Sequence, residues 1–504
     1  CSVDAFILEY KPTRTSIFLS AGAASTTNAD SQHITKNRKK KPKPGRPIDD
    51  QYWPERFPAK DHCSKCGLCE TTFVSSVTSA CAFLGDGMSR IDDLEPQIHD
   101  RARASEYIGD GSSTTDADEF RFGVMSRPMM LVKGKTIEDA QWTGVVTGIA
   151  VSMLEEGLVD AVVCIASSED EDEWSRGIPI VARTTREILR GRGVKPALAP
   201  SLKVLDEIKG DDSIRRLLFC GVGCAVQAFR AVQDDLGLED VFVLGTNCAD
   251  NSPTPRAAKD FIKIGLGLED GDDDLRVQGY EFMQDFKVHV KLSSPSSSKK
   301  SYLKSPYFCL PGSIASASIA PSCLACFDYT NALADVVVGY MAAPLNDSDT
   351  MSSSLQSLTV RNQRGQTMVS NAIRHQRLSV HSEQASGSGN HETLSSATVQ
   401  ADNIVMAMTG GPIKEKGMPK LLGNLMSFIM TRAGPKGVNF ARYSIDYHVL
   451  RNYLHVVDTW GEEKGRRLMP KYAIEIVNHY LGKDGDDSIS KLRELILQKK
   501  ELRP

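Results

Sequence analysis

The chain has 504 residues, 41% of them hydrophobic and 25% charged, a soluble globular composition long enough for two or three domains. Its net charge of −4 argues against a whole-chain field for nucleic acid, and no apolar run reaches the eighteen or so residues that cross a bilayer. Twelve cysteines are too few for a disulfide scaffold. Their grouping in twos and threes suits metal chemistry in a reducing compartment.

Residues 1–35 are rich in Ser, Thr and Ala and read as an organelle-targeting remnant. The run KNRKKKPKPGRP at 36–47 reads as a disordered basic linker. A cysteine loop, HCSKCGLC, follows at 62–69, and Cys81 trails it. A Gly85-Asp86-Gly87 turn then leads to a polar helix, and residues 104–118 read as a loop. From Phe122 the pattern becomes α/β. Residues 137–154 predict a loop entering an apolar helix, and the run LVDAVVCIA at 158–166 a buried strand. Helices are expected at 184–191, 203–209 and 226–236, with strands at 216–220 and 241–245. Such alternation predicts a largely parallel sheet flanked by helices, with ligand groups in the loops at its carboxyl ends. Residues 269–275 read as an acidic loop, 280–292 as one alternating strand, and 293–301 as a Ser/Lys loop. The Ser/Thr/Asn/Gln-rich stretch 346–403 reads as a mostly disordered insertion. Order resumes with 434–456 and a charged helix near 486–500.

Cys63, Cys66 and Cys69 recur every third residue, as the first three thiolates of the bacterial ferredoxin run do. The fourth departs from that run: Cys81 is displaced and is followed by Ala82. A zinc ribbon pairing Cys63 and Cys66 with the Cys323-x2-Cys326 hook is the other reading, and it leaves Cys69 and Cys81 without a role. The economical grouping is two iron–sulfur clusters. One takes Cys63, Cys66, Cys69 and Cys81; the other takes Cys323 and Cys326 with two of Cys220, Cys224 and Cys248. Cys220 belongs to a strand and is the one expected to drop out. Cys164 reads as a buried free thiol, and Cys1 and Cys309 have no partner pattern. Gln141–Gly148 is the only candidate for a phosphate cradle at a helix start, with Gly144 and Gly148 equally readable as packing glycines. There is no G-x-G-x-x-G, Walker or Ser-His-Asp signature.

The segments HCSKCGLC, AQWTGVVTGIA, LFCGVGCAVQAFRAV, VLGTNCADN, YEFMQDF, APSCLACFDYTNALADVVVGYM and GPKGVNFARYSIDYHVLRNYL resemble the deazaflavin-linked hydrogenase/dehydrogenase beta-subunit family. Within it the likeness is to plastid reductases of chlorophyll pigments, and it covers residues 50–345 and 404–475. The resemblance implies FAD, two 4Fe-4S clusters, reduced ferredoxin as donor, a chlorophyll-type pigment as substrate and a chloroplast location. It implies Cys224, Cys248, Cys323 and Cys326 as further cluster ligands, which we allocate to the second cluster by inference beyond the motifs, lays Gln141, Thr143 and Gly144 along the flavin, and brings Lys195 beside it. The implied activity is oxidoreduction of a 7-hydroxymethyl chlorophyll, with 8-vinyl reduction of a divinyl (proto)chlorophyllide as the alternative. A subunit that only carries electrons between flavin and partner proteins is the alternative of another class.

Removing a hydroxyl group as water requires a proton donor. His99, Asp285, Asp328 and Tyr329 are the candidates, and Phe327, Tyr329 and Tyr340 are candidates to line a pigment cleft. The expected division is a targeting remnant and linker at 1–49, an iron–sulfur segment at 50–121, a flavin-binding α/β domain at 122–345, the insertion at 346–403 and a helical segment at 404–504. A homo-oligomer is compatible with this organisation.

Overall fold

The computed structural model describes residues 63, 65–84, 87–104, 115–138, 140–170, 173–268, 276–294, 297–412, 415–482 and 488–501. The targeting and linker readings, the 269–275 loop, Gly85-Asp86 of the expected turn and residues 105–114 lie outside them.

An eight-stranded mixed sheet forms the centre. Its strands are β1 (Met130–Gly134), β2 (Ala161–Ser167), β3 (Gly177–Ala182), β4 (Arg216–Gly221), β5 (Asp240–Thr246), and further along the chain Val336–Gly339, Gln356–Val360 and Leu378–Ser382. A separate three-stranded sheet consists of β6 (Arg276–Phe282), β7 (Lys287–Ser294) and β8 (Ser297–Pro306), which makes the last three central strands β9, β10 and β11. The order is β11-β1-β10-β9-β5-β4-β2-β3. Strands β2, β4, β5 and β9 are parallel neighbours. Because β10 is antiparallel to both β9 and β1, β1 runs with the parallel set.

Both faces of this sheet are covered, so its central strands β2, β4, β5 and β9 are largely apolar. On one face Val162, Leu218, Leu244 and Val336 meet the helices Val145–Glu155 and Gln363–Arg374. On the other, Val163, Phe219, Val243 and Val337 meet the helix Gly223–Arg230 and the 202–208 segment. The alternation of adjacent strand residues between two cores is the period of two that a pleated strand imposes. A third core is built around the long helix Val438–Trp460, with His391–Ala401, Lys471–Leu481 and Ser488–Glu501 around it. The fold is α/β with a helical carboxyl-terminal part.

Three expectations are corrected. The stretch 346–403 is not an insertion: β10 sits inside the sheet between β1 and β9 with every residue buried. Its Ser357 and Thr359 made it read as polar, yet short hydroxyl side chains fit a pleated surface well. The helix after it is capped by Asn362, and Asn371 donates to the Ser152 carbonyl of the Val145–Glu155 helix at 2.9 Å. Residues 280–292 are two strands of a hairpin, reversed at 283–286 by a turn in which Phe286 has φ 56° and its N–H donates to the Met283 carbonyl. The turn contains neither Gly nor Pro, so nothing punctuated the alternation. Residues 297–301 of the expected Ser/Lys loop belong to β8, which pairs with β7 and is the edge of that sheet among the described residues. Lysine and serine are a usual protection for a sheet edge.

Candidate functional site

The carboxyl ends of β1, β2, β4, β5 and β9 all point to one edge of the sheet, where open α/β sheets place their ligands. Leaving that edge are the 135–144 loop after β1, Ser168 after β2, Cys224 after β4, Cys248 after β5 and Tyr340 after β9.

Two sets of thiols gather near it. Cys63 and Cys69 are exposed, Cys66 and Cys81 partly buried. Cys66 feels the charges of Cys69 and Cys63, and Cys81 feels Cys66 and Cys63. Burial, the larger cause, together with these like charges pushes the Cys81 thiol up to about 12. In the second set Cys248 feels Cys323 and Cys224, and Cys326 feels Cys323 and Cys248. Cys224 is the link, raised first by burial and then by Cys66, Cys326, Cys323 and Cys81. Cys220 feels only Cys164. A buried thiol that cannot ionise alone is released to its thiolate by a bound metal, so crowded, buried thiols fit a metal-bound state. Among the described residues no three His, Cys, Asp or Glu side chains converge as they would on a single ion.

The Cys323–Cys326 loop is fixed from the long helix. Asn452 donates from its carboxamide to the carbonyls of Cys323 at 2.8 Å and Cys326 at 2.9 Å, and to the Tyr329 hydroxyl at 2.9 Å. The Tyr329 hydroxyl in turn donates to the Cys326 carbonyl at 2.6 Å. Arg451 clasps Asp250 with two contacts of 2.8 Å, two residues after Cys248, and the Asn251 carboxamide donates to the Cys248 sulfur at 3.0 Å.

A second constellation forms around the 135–144 loop. Trp142, Thr143 and Gly144 are all left-handed, with φ of 53°, 57° and 76°. For the two non-glycine residues this costs about 1–2 kcal/mol each and persists because contacts over-determine it. The Trp142 N–H donates to the Met351 carbonyl at 2.7 Å, its ring stacks on Tyr340 with centroids 4.1 Å apart and planes 9° apart, and Thr143 Oγ1 accepts from the Gly134 N–H at 2.8 Å. Gly144 precedes the helix Val145–Glu155; a Cβ there would lie 2.7 Å from the Ile137 side chain. A Cβ on Gly148 would meet the Arg377 carbonyl at 3.3 Å, so Gly148 packs.

Glu281, on β6, lies under this turn. It accepts from the Gln141 carboxamide and the Trp142 indole at 3.4 Å each, and from the Tyr340 hydroxyl at 3.3 Å. Burial raises its carboxyl to about 7 against the partial relief of the Trp142 and Tyr340 bonds. Gln141 also accepts from the Val194 N–H at 3.2 Å, which brings in the neighbouring Lys195. That ammonium donates to the carbonyls of Arg192 at 2.8 Å and Gly193 at 3.0 Å, and burial lowers it to about 8. Gln141, Thr143, Gly144 and Lys195 therefore share one corner. Ser167, Ser168, Glu169, Arg190, Arg192 and Lys291 line a pocket of about 300 Å³, in which Glu169 pairs with Arg190 at 3.1 Å.

Three of the four proton-donor candidates, His99, Asp328 and Tyr329, lie on or against the 328–332 segment, and Asp285 lies in the β6–β7 turn. The His99 nitrogens lie 2.8 Å from the Ala332 carbonyl and 3.1 Å from the Asn362 carboxamide. Burial, then Arg361, lowers the ring to about 4. The ring is thereby bonded to Ala332, whose own N–H is held by Asp328. Asp285 closes the β6–β7 turn against His289 at 2.8 Å. Tyr329 is committed to the cysteine loop. Asp328 is buried, raised by burial, and accepts from the Ala332 N–H at 2.8 Å. Its second oxygen has no hydrogen-bond partner among the described residues and would lie 2.5 Å from a Cβ on Gly223. Phe327 is a core residue; Tyr340 belongs to the Trp142 constellation. Sequence reasoning missed Glu281, Trp142, Asp250, Arg451 and Asn452. Asp250 offered a signal, being an acid two residues from a cysteine; the others offered none outside tertiary contact.

Residues 131–206 match the family described as coenzyme F420 hydrogenase/dehydrogenase, beta subunit N-term, and residues 214–386 match its C-terminus. The chain is 44% identical over 85% of its length, and 84% of the relative's, to a rice protein (Oryza sativa subsp. japonica) named 7-hydroxymethyl chlorophyll a reductase, chloroplastic. It is 37% identical to an uncharacterized protein of Nostoc sp., covering 84% of this chain and 95% of the relative. A Methanosarcina barkeri coenzyme F420 hydrogenase subunit beta is 26% identical over 41% of this chain and 67% of its own. Matches to both halves of the family description, and to relatives along most of their length, have one reading: the chain belongs to the coenzyme F420 hydrogenase/dehydrogenase beta-subunit family.

Proposed function

We propose that the chain is an oxidoreductase that reduces 7-hydroxymethyl chlorophyll a to chlorophyll a in a plastid, with FAD, two 4Fe-4S clusters and ferredoxin as donor. The observation that carries this reading is the 44% identity, shared over 84% of the relative, with the rice chloroplastic reductase. The reaction consumes two electrons and two protons and releases water.

Cys63, Cys66, Cys69 and Cys81 would hold one cluster, and Cys224, Cys248, Cys323 and Cys326 the other. The clusters supply one-electron transfer, and the flavin joins single electrons into a pair. The outer set, with Cys63 and Cys69 exposed, is the one a donor protein can approach. Gln141, Thr143, Gly144 and Lys195 would hold the flavin, and Arg192 and Lys291, beside the Glu169–Arg190 pair, would offer positive charge to its phosphates. Glu281 would hold the proton for the departing hydroxyl: burial raises its carboxyl to about 7, so part of it stays protonated near neutral pH, and donors from Gln141, Trp142 and Tyr340 orient it.

The test is an anaerobic assay of reconstituted protein with reduced ferredoxin, offering 7-hydroxymethyl chlorophyll a and divinyl chlorophyllide in separate tubes. Chlorophyll a from the first tube alone is expected. Monovinyl product from the second alone would replace this reading with vinyl reduction. A flavin that reduces normally with neither product would leave an electron carrier.

A further inference from the structure

The helix Lys420–Ala433 is packed with its small residues inward and its large apolar residues outward. Gly423 and Ser427 are its buried residues. A Cβ on Gly423 would lie 2.3 Å from the Cys309 sulfur, and the Ser427 hydroxyl donates to the Phe286 carbonyl at 3.1 Å. On the outside Leu421 is 87% exposed and Phe428 58%, with Leu422, Leu425 and Ile429 exposed beside them. These five are the majority of the nine large exposed hydrophobics among the described residues. Their spacing by three and four makes one continuous stripe, and a stripe of that kind marks an interaction surface.

Charge identifies what covers it. Lys416 and Lys420 are exposed at one end, Arg432 and Lys436 at the other, and residues 416–436 contain no Asp or Glu. Glu415 lies just before this stretch, and Asp347 reaches Arg432 only at 3.8 Å. The Arg432 guanidinium lies over the Phe428 ring, 5.2 Å from its centre. Cationic side chains at both ends of an apolar helical stripe match a surface where anionic headgroups overlie hydrocarbon. A second copy packed on the same stripe would set basic ends against basic ends in either orientation.

We propose that the Lys420–Ala433 helix docks the protein on an anionic lipid bilayer, lying in its interface. No helix among the described residues is long and apolar enough to cross a membrane, so this is attachment to one leaflet. Met430 of the same helix packs on the cluster of Phe286, Phe440 and Tyr443, and so does Met341, the residue after Tyr340. The helix thus shares a buried cluster with the residue that follows Tyr340 of the Trp142–Tyr340 stack. Under the pigment reading above, that would let a lipid-borne substrate enter from the bilayer; lipid binding itself is tested without pigment, so the two fail separately.

The experiment is flotation of the full reconstituted chain with vesicles of phosphatidylcholine alone or mixed with phosphatidylglycerol. Binding to the mixed vesicles is expected, weakened about tenfold or more by Leu425→Gln with Phe428→Gln and several-fold by Lys420→Gln with Lys436→Gln. All four positions are exposed, and unchanged circular dichroism and iron content confirm intact variants. Failure to float with either vesicle overturns the proposal, and so does binding that ignores both pairs of substitutions. A self-associated form in light scattering that the Leu425/Phe428 variant abolishes, without lipid binding, assigns the face to a second copy instead.

Discussion

The carboxamide of Asn452 and the hydroxyl of Tyr329 meet at 2.9 Å, joining the long carboxyl-terminal helix to the loop that carries Cys323 and Cys326. The same carboxamide holds the carbonyls of both cysteines. This ties a segment 126 residues away in sequence to the geometry of the thiols. Asn452→Leu would take one donor from each of the two carbonyls, which keep the bonds from the Tyr329 hydroxyl and the Cys326 N–H, and one from the Tyr329 hydroxyl, a cost on the order of 1–3 kcal/mol. Chemical denaturation at neutral pH should show that loss. Iron retained per chain should fall in the folded variant, whereas an unchanged iron content would mean that the loop keeps its shape without Asn452.

Cys220 and Cys224 lie four residues apart and differ in company. Cys224 is surrounded by thiols of both sets, whereas Cys220 has only Cys164. Cys224→Ser is expected to lower iron per chain by about half, consistent with the loss of one of two clusters. Cys220→Ser should leave iron and the visible spectrum as in the wild type. Equal losses in the two variants would mean that the second set is drawn wrongly.

Asp446 anchors a wholly buried network. It accepts from Arg121 at 2.9 and 3.2 Å and from the Tyr480 hydroxyl at 2.9 Å, with His391 3.2 Å away. Burial works to raise this carboxyl, but Arg121 and His391 outweigh it and hold it well below its ordinary value of 3.8. The stabilisation is therefore complete above pH 3.8 and is lost as pH falls through the lower folded value. Asp446→Asn takes the buried carboxylate away from Arg121 and His391 and should cost about 3–5 kcal/mol at pH 7. Denaturation of both proteins across pH should show the gap constant above 3.8 and shrinking below it.

Strands β2, β4 and β5 were legible because a strand buried on both faces is a short unbroken apolar run. The cysteine loop was legible because thiolates around one centre must recur at short spacing. β10 was not, because Ser357 and Thr359 satisfy burial with small hydroxyls that composition counts as polar. Glu281 was equally hidden. It is one acid in an alternating strand, and its three donors come from positions 141, 142 and 340, which meet only once the sheet has brought the ends of β1 and β9 beside the hairpin.

Glu281 yields two pH signatures with a shared cause. Burial raises its carboxyl from 4.5 to about 7. Between those values the folded protein keeps a proton that the unfolded chain has released, so this group makes stability fall as pH rises through the window and level off above it. Glu281→Gln removes that slope, and denaturation at pH 5 and pH 8 should show it flattened. A donor of protons must be protonated, so wild-type turnover should decline as pH rises past about 7. Glutamine keeps the shape but has no proton to give, and kcat should drop by about 10²–10⁴ with the alkaline decline gone. A merely structural Glu281 would move the stability slope and leave the pH profile of kcat where it was. Equal kcat and an unshifted profile in the variant would take the proton-donor role away from this residue.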